Sequence, residues 1–361
     1  MEAMVSRETL DKEYRGKKVF LTGHTGFKGA WLMACLQQAG AEIKGYALPP
    51  EQELGLFAVL GPLKGVTSVL ADIRDKERLK RELLAFEPDY VFHLAAQPLV
   101  RRSYEIPAET FDINVTGTAN LLEAAAASPK PCSIVVITTD KVYENKETNT
   151  LYAESDALGG YDPYSASKAC AELVVSAFRR SFFHPDAIER HGKGIATARA
   201  GNVIGGGDWS RDRLLPDIVR SLLNGQPVAV RNPASVRPWQ HVLEPIGGYL
   251  KLGSLLRQAP NRYGRAYNFG PQPEDHLSVQ ELVETAIATW GHGSWLDQSA
   301  PEAPHEAGLL KLNIALAAQD LDWAPCLNAR QAIQWALEWY RQPATKQAAY
   351  TFQQINSYFP A

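Results

Sequence analysis

Short runs rich in Val, Ile and Leu recur at residues 18–22, 43–47, 66–70, 90–94, 134–138 and 195–198, with helically spaced apolar positions between them. The runs are nearly continuous rather than alternating, as suits strands covered by helices on both faces of a parallel sheet. Helices are expected over residues 29–39, ended by Gly40, and over 111–127, ended by Ser128-Pro129. The pattern therefore predicts an α/β fold with a Rossmann-type doubly wound parallel sheet. Residues 7–14 read as a short helix or a disordered lead-in.

Beyond Gly201 the texture changes, as Gly, Pro, Arg and Trp concentrate in Gly205-Gly206-Gly207-Asp208-Trp209 and between Arg231 and His241. A smaller, mixed α/β substrate-binding domain is expected there. The expected division is a lead-in at 1–16, a dinucleotide-binding domain at 17–200, and a second region at 201–361 with some segments returning to the sheet.

Composition narrows the function without choosing it. In 361 residues, 45% are hydrophobic, and a formal net charge of −3 leaves no basic stripe for nucleic acid. Cys35, Cys132, Cys170 and Cys326 are widely spaced, so neither a disulfide framework nor a metal site is expected. No signal peptide or membrane span is apparent, and a cytoplasmic protein is expected.

The first run leads straight into Gly23-His24-Thr25-Gly26-Phe27-Lys28-Gly29 and then a helix. Glycines so spaced allow a tight turn, close approach of a pyrophosphate and close helix–strand packing, with the helix N-terminus facing the anion. Downstream, Tyr164 and Lys168 stand four residues apart behind Asp162, a natural helix N-cap, and Pro163, which suits the first helical position. They should share one helix face, where an ammonium stabilises a phenolate. A solvated surface pair would be the reading of this spacing in isolation. The fifth run ends in Thr138-Thr139-Asp140-Lys141, at the sheet edge where an open α/β fold puts its chemistry.

These motifs resemble the extended short-chain dehydrogenase/reductase superfamily, within its NAD-dependent epimerase/dehydratase group. The resemblance implies a bound NAD contacted by Gly23, Thr25, Gly26, Phe27 and Gly29, by Asp72 and Ile73 near the adenine, and by Leu94, Ala95 and Ala96. It also implies a Thr139, Tyr164 and Lys168 set acting on a sugar hydroxyl. The acid usual at the end of the second strand is missing from Gly45-Tyr46-Ala47-Leu48-Pro49, so NADP stays open through Lys28 and Lys44.

An acid after Thr139 is similar to the nucleotide-sugar 4,6-dehydratases and implies Asp140 as the donor for expelling water. A turn-capping aspartate is the plainer alternative. Lys141 stands where many of these enzymes carry glutamate; it is either a base for the C5 proton or a cation stabilising the enolate, and the base stays open. The likeness implies Gln97, Asn202, Arg213, Arg237 and His241 around the substrate, although His241 also reads as a structural residue. Gly-Gly-Gly-Asp-Trp and Arg-Pro-Trp-Gln-His incline the nucleotide toward cytidine, with CDP-glucose or a related nucleotide sugar as the partner. A homodimer or higher homo-oligomer is expected by kinship. The rivals are an enzyme acting on another nucleotide sugar, including an epimerase, and a non-catalytic dinucleotide sensor.

Overall fold

A computed structural model describes residues 6–299 and 309–360. Seven parallel strands form the central sheet: β1 (Lys18–Thr22), β2 (Glu42–Ala47), β3 (Val66–Leu70), β4 (Tyr90–His93), β5 (Cys132–Ile137), β6 (Lys193–Ala200) and β7 (Ala266–Phe269). Their order is β3-β2-β1-β4-β5-β6-β7. β5 and β6 are buried along their whole length, which explains their unbroken apolar runs, whereas edge strand β3 is largely exposed. The order reverses between β1 and β4, and the crevice beyond their carboxyl ends is where such sheets bind ligands.

Six of the seven strands follow the apolar runs. The seventh, Ala-Tyr-Asn-Phe, is short and interrupted by Asn268, whose buried amide bonds the Tyr152 and Asn313 carbonyls at 2.9 and 3.0 Å. It pairs with β6 after a long excursion, and the helix Leu243–Gln258 that precedes it packs on β5 and β6. Residues 7–14 are a helix capped by Ser6 and held by the Tyr14 hydroxyl on the Leu250 carbonyl at 2.6 Å.

The expected helix over 111–127 is divided. Pro107–Phe111 leads into a π-helical turn, Asp112–Thr116, before Gly117–Ala126 resumes the α form. Where the α form resumes the packing is close: a Cβ at Gly117 would lie 2.7 Å from Ile73. Beyond β6 the chain builds small two-stranded pieces: Val203–Ile204 with Gln240–His241, Val228–Val230 with Trp295–Asp297, and Val236–Arg237 with Leu277–Ser278. Val203, Ile204, Ala229 and Arg237 from these pieces, with the start of the helix Leu214–Leu223, wall the far side of the crevice.

Candidate active site

The glycine loop after β1 is shaped by contacts that leave no room for side chains. Gly23 has φ +77°, and a Cβ there would lie 2.7 Å from the Ala95 amide nitrogen. At Gly29 a Cβ would fall 2.0 Å from the Gly23 carbonyl oxygen. The helix Phe27–Gln38 starts at Gly26 with no side chain capping it, so its first amides remain available to an anion. Thr22 Oγ1 accepts hydrogen bonds from the Leu94 and Ala95 amides at 3.1 and 3.2 Å, tying the ends of β1 and β4 together beneath the crevice. This cradle fits a dinucleotide pyrophosphate.

The two lysines that left NADP open are directed elsewhere. Lys44 pairs with Glu82 at 2.9 Å, and Lys28 turns toward the far end of the cleft. Within the second strand Gly45 has no room for a side chain because the His24 ring lies over it: a Cβ would be 2.4 Å from the ring. His24 Nε2 meets Ser68 Oγ at 2.7 Å, and burial pulls the ring down to about 4.

One cleft of about 960 Å³ is lined by Gly23, Thr25, Gly26, Phe27, Gly29, Asp72, Ile73, Leu94, Ala95 and Ala96 at one end. Thr139, Lys141, Tyr164, Lys168, Asn202, Arg213 and Arg237 line the other, with Gln97 between them. The structure thus brings together most of the residues singled out in the sequence. Gln97 is occupied locally: its side chain bonds the Leu99 backbone and Thr110, which shapes the loop after β4. Asp72 accepts from Arg74 at 2.6 Å. His241 is not beside the cleft. It is fully buried, with Trp31 and Trp335 edge-on at 5.9 and 5.7 Å.

Tyr164 and Lys168 occupy the first turns of Pro163–Ser181, which Asp162 caps through the Ser165 amide at 2.9 Å. Lys168 Nζ donates to the Ile137 carbonyl at the end of β5 at 2.9 Å. Burial pulls its ammonium down to about 8, with Glu172 pulling the other way. Burial pushes the Tyr164 phenol up to about 12, while hydrogen bonding with Thr139 and the Arg213 charge draw it down. A cationic ring bound beside it would lower it further.

Asp140 sits just behind the wall, 1% exposed. One oxygen accepts from the Thr139 hydroxyl at 3.0 Å and pairs with Lys141 Nζ at 3.6 Å; the other has no hydrogen-bond partner. Lys141 also reaches Asn202 Oδ1 at 3.4 Å. A buried carboxylate with an open acceptor beside a hydroxyl and an ammonium can take or release a proton.

The sequence model of the family described as "NAD dependent epimerase/dehydratase family" matches residues 19–270. The chain belongs to that family. A CDP-glucose 4,6-dehydratase from Salmonella typhimurium is 47% identical over 92% of this chain and 93% of its own. A dTDP-glucose 4,6-dehydratase from Streptomyces antibioticus is 29% identical, covering 90% and 92%. Among solved structures, the dTDP-glucose 4,6-dehydratase DesIV from Streptomyces venezuelae, with NAD bound, matches the fold with a TM-score of 0.77 at 24% identity, over 90% and 97% of the two chains.

Sequence reasoning passed over several residues of this NAD-dependent epimerase/dehydratase site. Lys28, considered only for cofactor choice, lies in reach of Arg213, Lys168, Asp140 and Lys141: burial first, then the Arg213 and Lys168 charges, pull it down to about 7. Asn114, in the π-helical turn, bonds the Gln97 backbone at 2.8 and 3.1 Å and Ser167 at 2.8 Å, joining the loop after β4 to the Tyr164–Lys168 helix. Glu172 and Arg199 form a buried ion pair at 3.0 Å beneath Thr138, which donates to Glu172 at 2.6 Å. Only Glu172 carried a legible signal, one turn beyond Lys168 on the same face.

Proposed function

We propose that the chain is a CDP-glucose 4,6-dehydratase, a lyase that converts CDP-glucose to CDP-4-dehydro-6-deoxyglucose and water. The observation that carries this is the buried Asp140 paired with Lys141, directly after Thr139 and in the electrostatic range of Tyr164. The 47% identical Salmonella protein supports the cytidine nucleotide.

Bound across the glycine cradle, NAD would supply the hydride acceptor and donor. Tyr164 takes the proton from the sugar O4, assisted by Thr139 and by the Lys168 charge. With C4 a ketone the C5 proton becomes acidic, and Asp140 in its protonated form gives its proton to the departing O6 as water is lost; the hydride taken from C4 then returns to C6 and a proton to C5, which completes the 6-deoxy sugar. Lys141, beside Asn202, attends C5 either as base or as the cation that stabilises the enolate. Asn202, Arg213 and Arg237 hold the diphosphate, a task suited to the planar guanidinium.

Tyr104, Phe111, Leu173 and Phe182 are exposed on or beside the helical segments that flank this site, and they support self-association through that face. No helix among the described residues is long and apolar enough to cross a membrane, and all four cysteines are free, which fits a reducing cytoplasm.

The deciding experiment incubates the chain and NAD with the cytidine, thymidine, uridine and guanosine diphosphoglucoses and follows mass. Loss of one water from the cytidine compound alone is the expected result. Loss from another, or isomerisation without change of mass, would reject the assignment.

A further inference from the structure

A strap, residues 48–54, leaves β2 and runs along the cofactor end of the cleft. Every residue of it is exposed except Gln52. At its start the Thr25 hydroxyl donates to the Leu48 carbonyl at 2.9 Å, and past its end the Leu56 amide donates to Gly207 at 3.1 Å. Between them Gln52 reaches across to the substrate side. Its carbonyl accepts from the Trp209 amide at 2.8 Å, and its amide donates to Ser210 Oγ at 3.0 Å.

The connection does not stop at Ser210. That hydroxyl donates to Asp208 Oδ1 at 2.7 Å, and Asp208 Oδ2 pairs with Arg213 at 3.6 Å. Asp208 is buried, so its carboxylate depends on these partners, and Arg213 lines the cleft beside it. A polar relay therefore runs from the strap to an arginine facing the substrate.

We propose that Gln52 is a positioning residue that couples the binding of NAD to the binding of the nucleotide diphosphate. This rests on the dehydratase reading, in which one cofactor molecule must remain from the oxidation at C4 to the completion of C6. A diphosphate drawn onto Arg213 takes up part of the guanidinium charge and leaves Asp208 to Ser210. Asp208 then accepts more strongly from the Ser210 hydroxyl that already donates to it, which holds the Ser210 lone pair more firmly on the Gln52 amide, and the strap is fastened more tightly while the substrate site is filled. By linkage the cofactor tightens the nucleotide to the same degree.

Calorimetric titration of NAD into the chain, with and without saturating CDP, tests this. The wild-type chain should bind NAD about tenfold tighter with CDP present, and CDP about tenfold tighter with NAD present. In Gln52→Ala that factor should fall close to one. Ser210→Ala should lower it too, and the double variant should lower it no further. A strap that serves only as structure would lose NAD affinity equally with and without CDP and keep the factor; that result overturns the proposal, as does a wild-type chain showing no coupling. Titrations with dTDP, UDP and GDP run first, and the tightest nucleotide is used. A wrong substrate assignment then shows as another nucleotide binding best, separately from the fate of the coupling.

Discussion

Gly201 leaves room for one carboxylate oxygen. A Cβ there would lie 2.9 Å from the unpartnered oxygen of Asp140 and 2.6 Å from Pro238. Gly201→Ala should displace the acid without touching Tyr164, slowing the elimination by up to about a hundredfold and sparing the oxidation. Asp140→Asn should act on the same step, so that the 4-keto, 6-hydroxy sugar accumulates and is seen by mass spectrometry. Equal loss of both steps would refute this division of labour. Tyr164→Phe should remove the first step, by about 10²–10⁴-fold in turnover. The glycine loop and the Tyr164–Lys168 pair were legible because their chemistry depends on spacing along one turn or one helix. The burial of Asp140 and the inward turn of Lys28 were not, because both are set by segments distant in sequence.

Among the elements, the helix Pro163–Ser181 carries the most constraint. Its Glu172 accepts from Thr138, Thr197 and Arg199, so one carboxylate ties the helix to β5 and β6 just below the candidate catalytic residues. Arg199 also donates to the Tyr143 hydroxyl at 2.9 Å, which in turn bonds Asn268 of β7. Arg199→Met would strand a buried charge and should cost about 3–5 kcal/mol of stability, read from a urea transition. Thr138→Val keeps the ion pair and should cost about 1 kcal/mol. Strands with unbroken apolar runs declared themselves in the sequence. β7 did not, since its Asn268 serves this network.

For the molecule as a whole, buried titratable groups set the acid limit. Burial pulls His93 and His241 down to about 3 and His24 to about 4, below their ordinary 6.5. Below pH 6.5 the unfolded chain takes up protons that the folded chain refuses, so stability falls as pH falls toward 4. Glu244 opposes this: burial pushes it up to about 7 from 4.5, so between those values the folded chain holds a proton that the unfolded chain releases. The net uptake is about two protons, or roughly 3 kcal/mol lost per pH unit between 6 and 5 from these groups. Urea midpoints across this range should fall steeply, and His241→Phe should flatten the slope by about one proton.

Lys28, Lys141, Lys168 and Arg213 gather at one end of the cleft, where they outnumber the carboxylates of Asp140 and Asp208 that pair with Lys141 and Arg213. The vestibule is thus an electrostatic funnel for whatever arrives carrying phosphates. Capture of ligand should slow steeply as ionic strength rises, while escape barely changes, and inorganic polyphosphates should act as competitors.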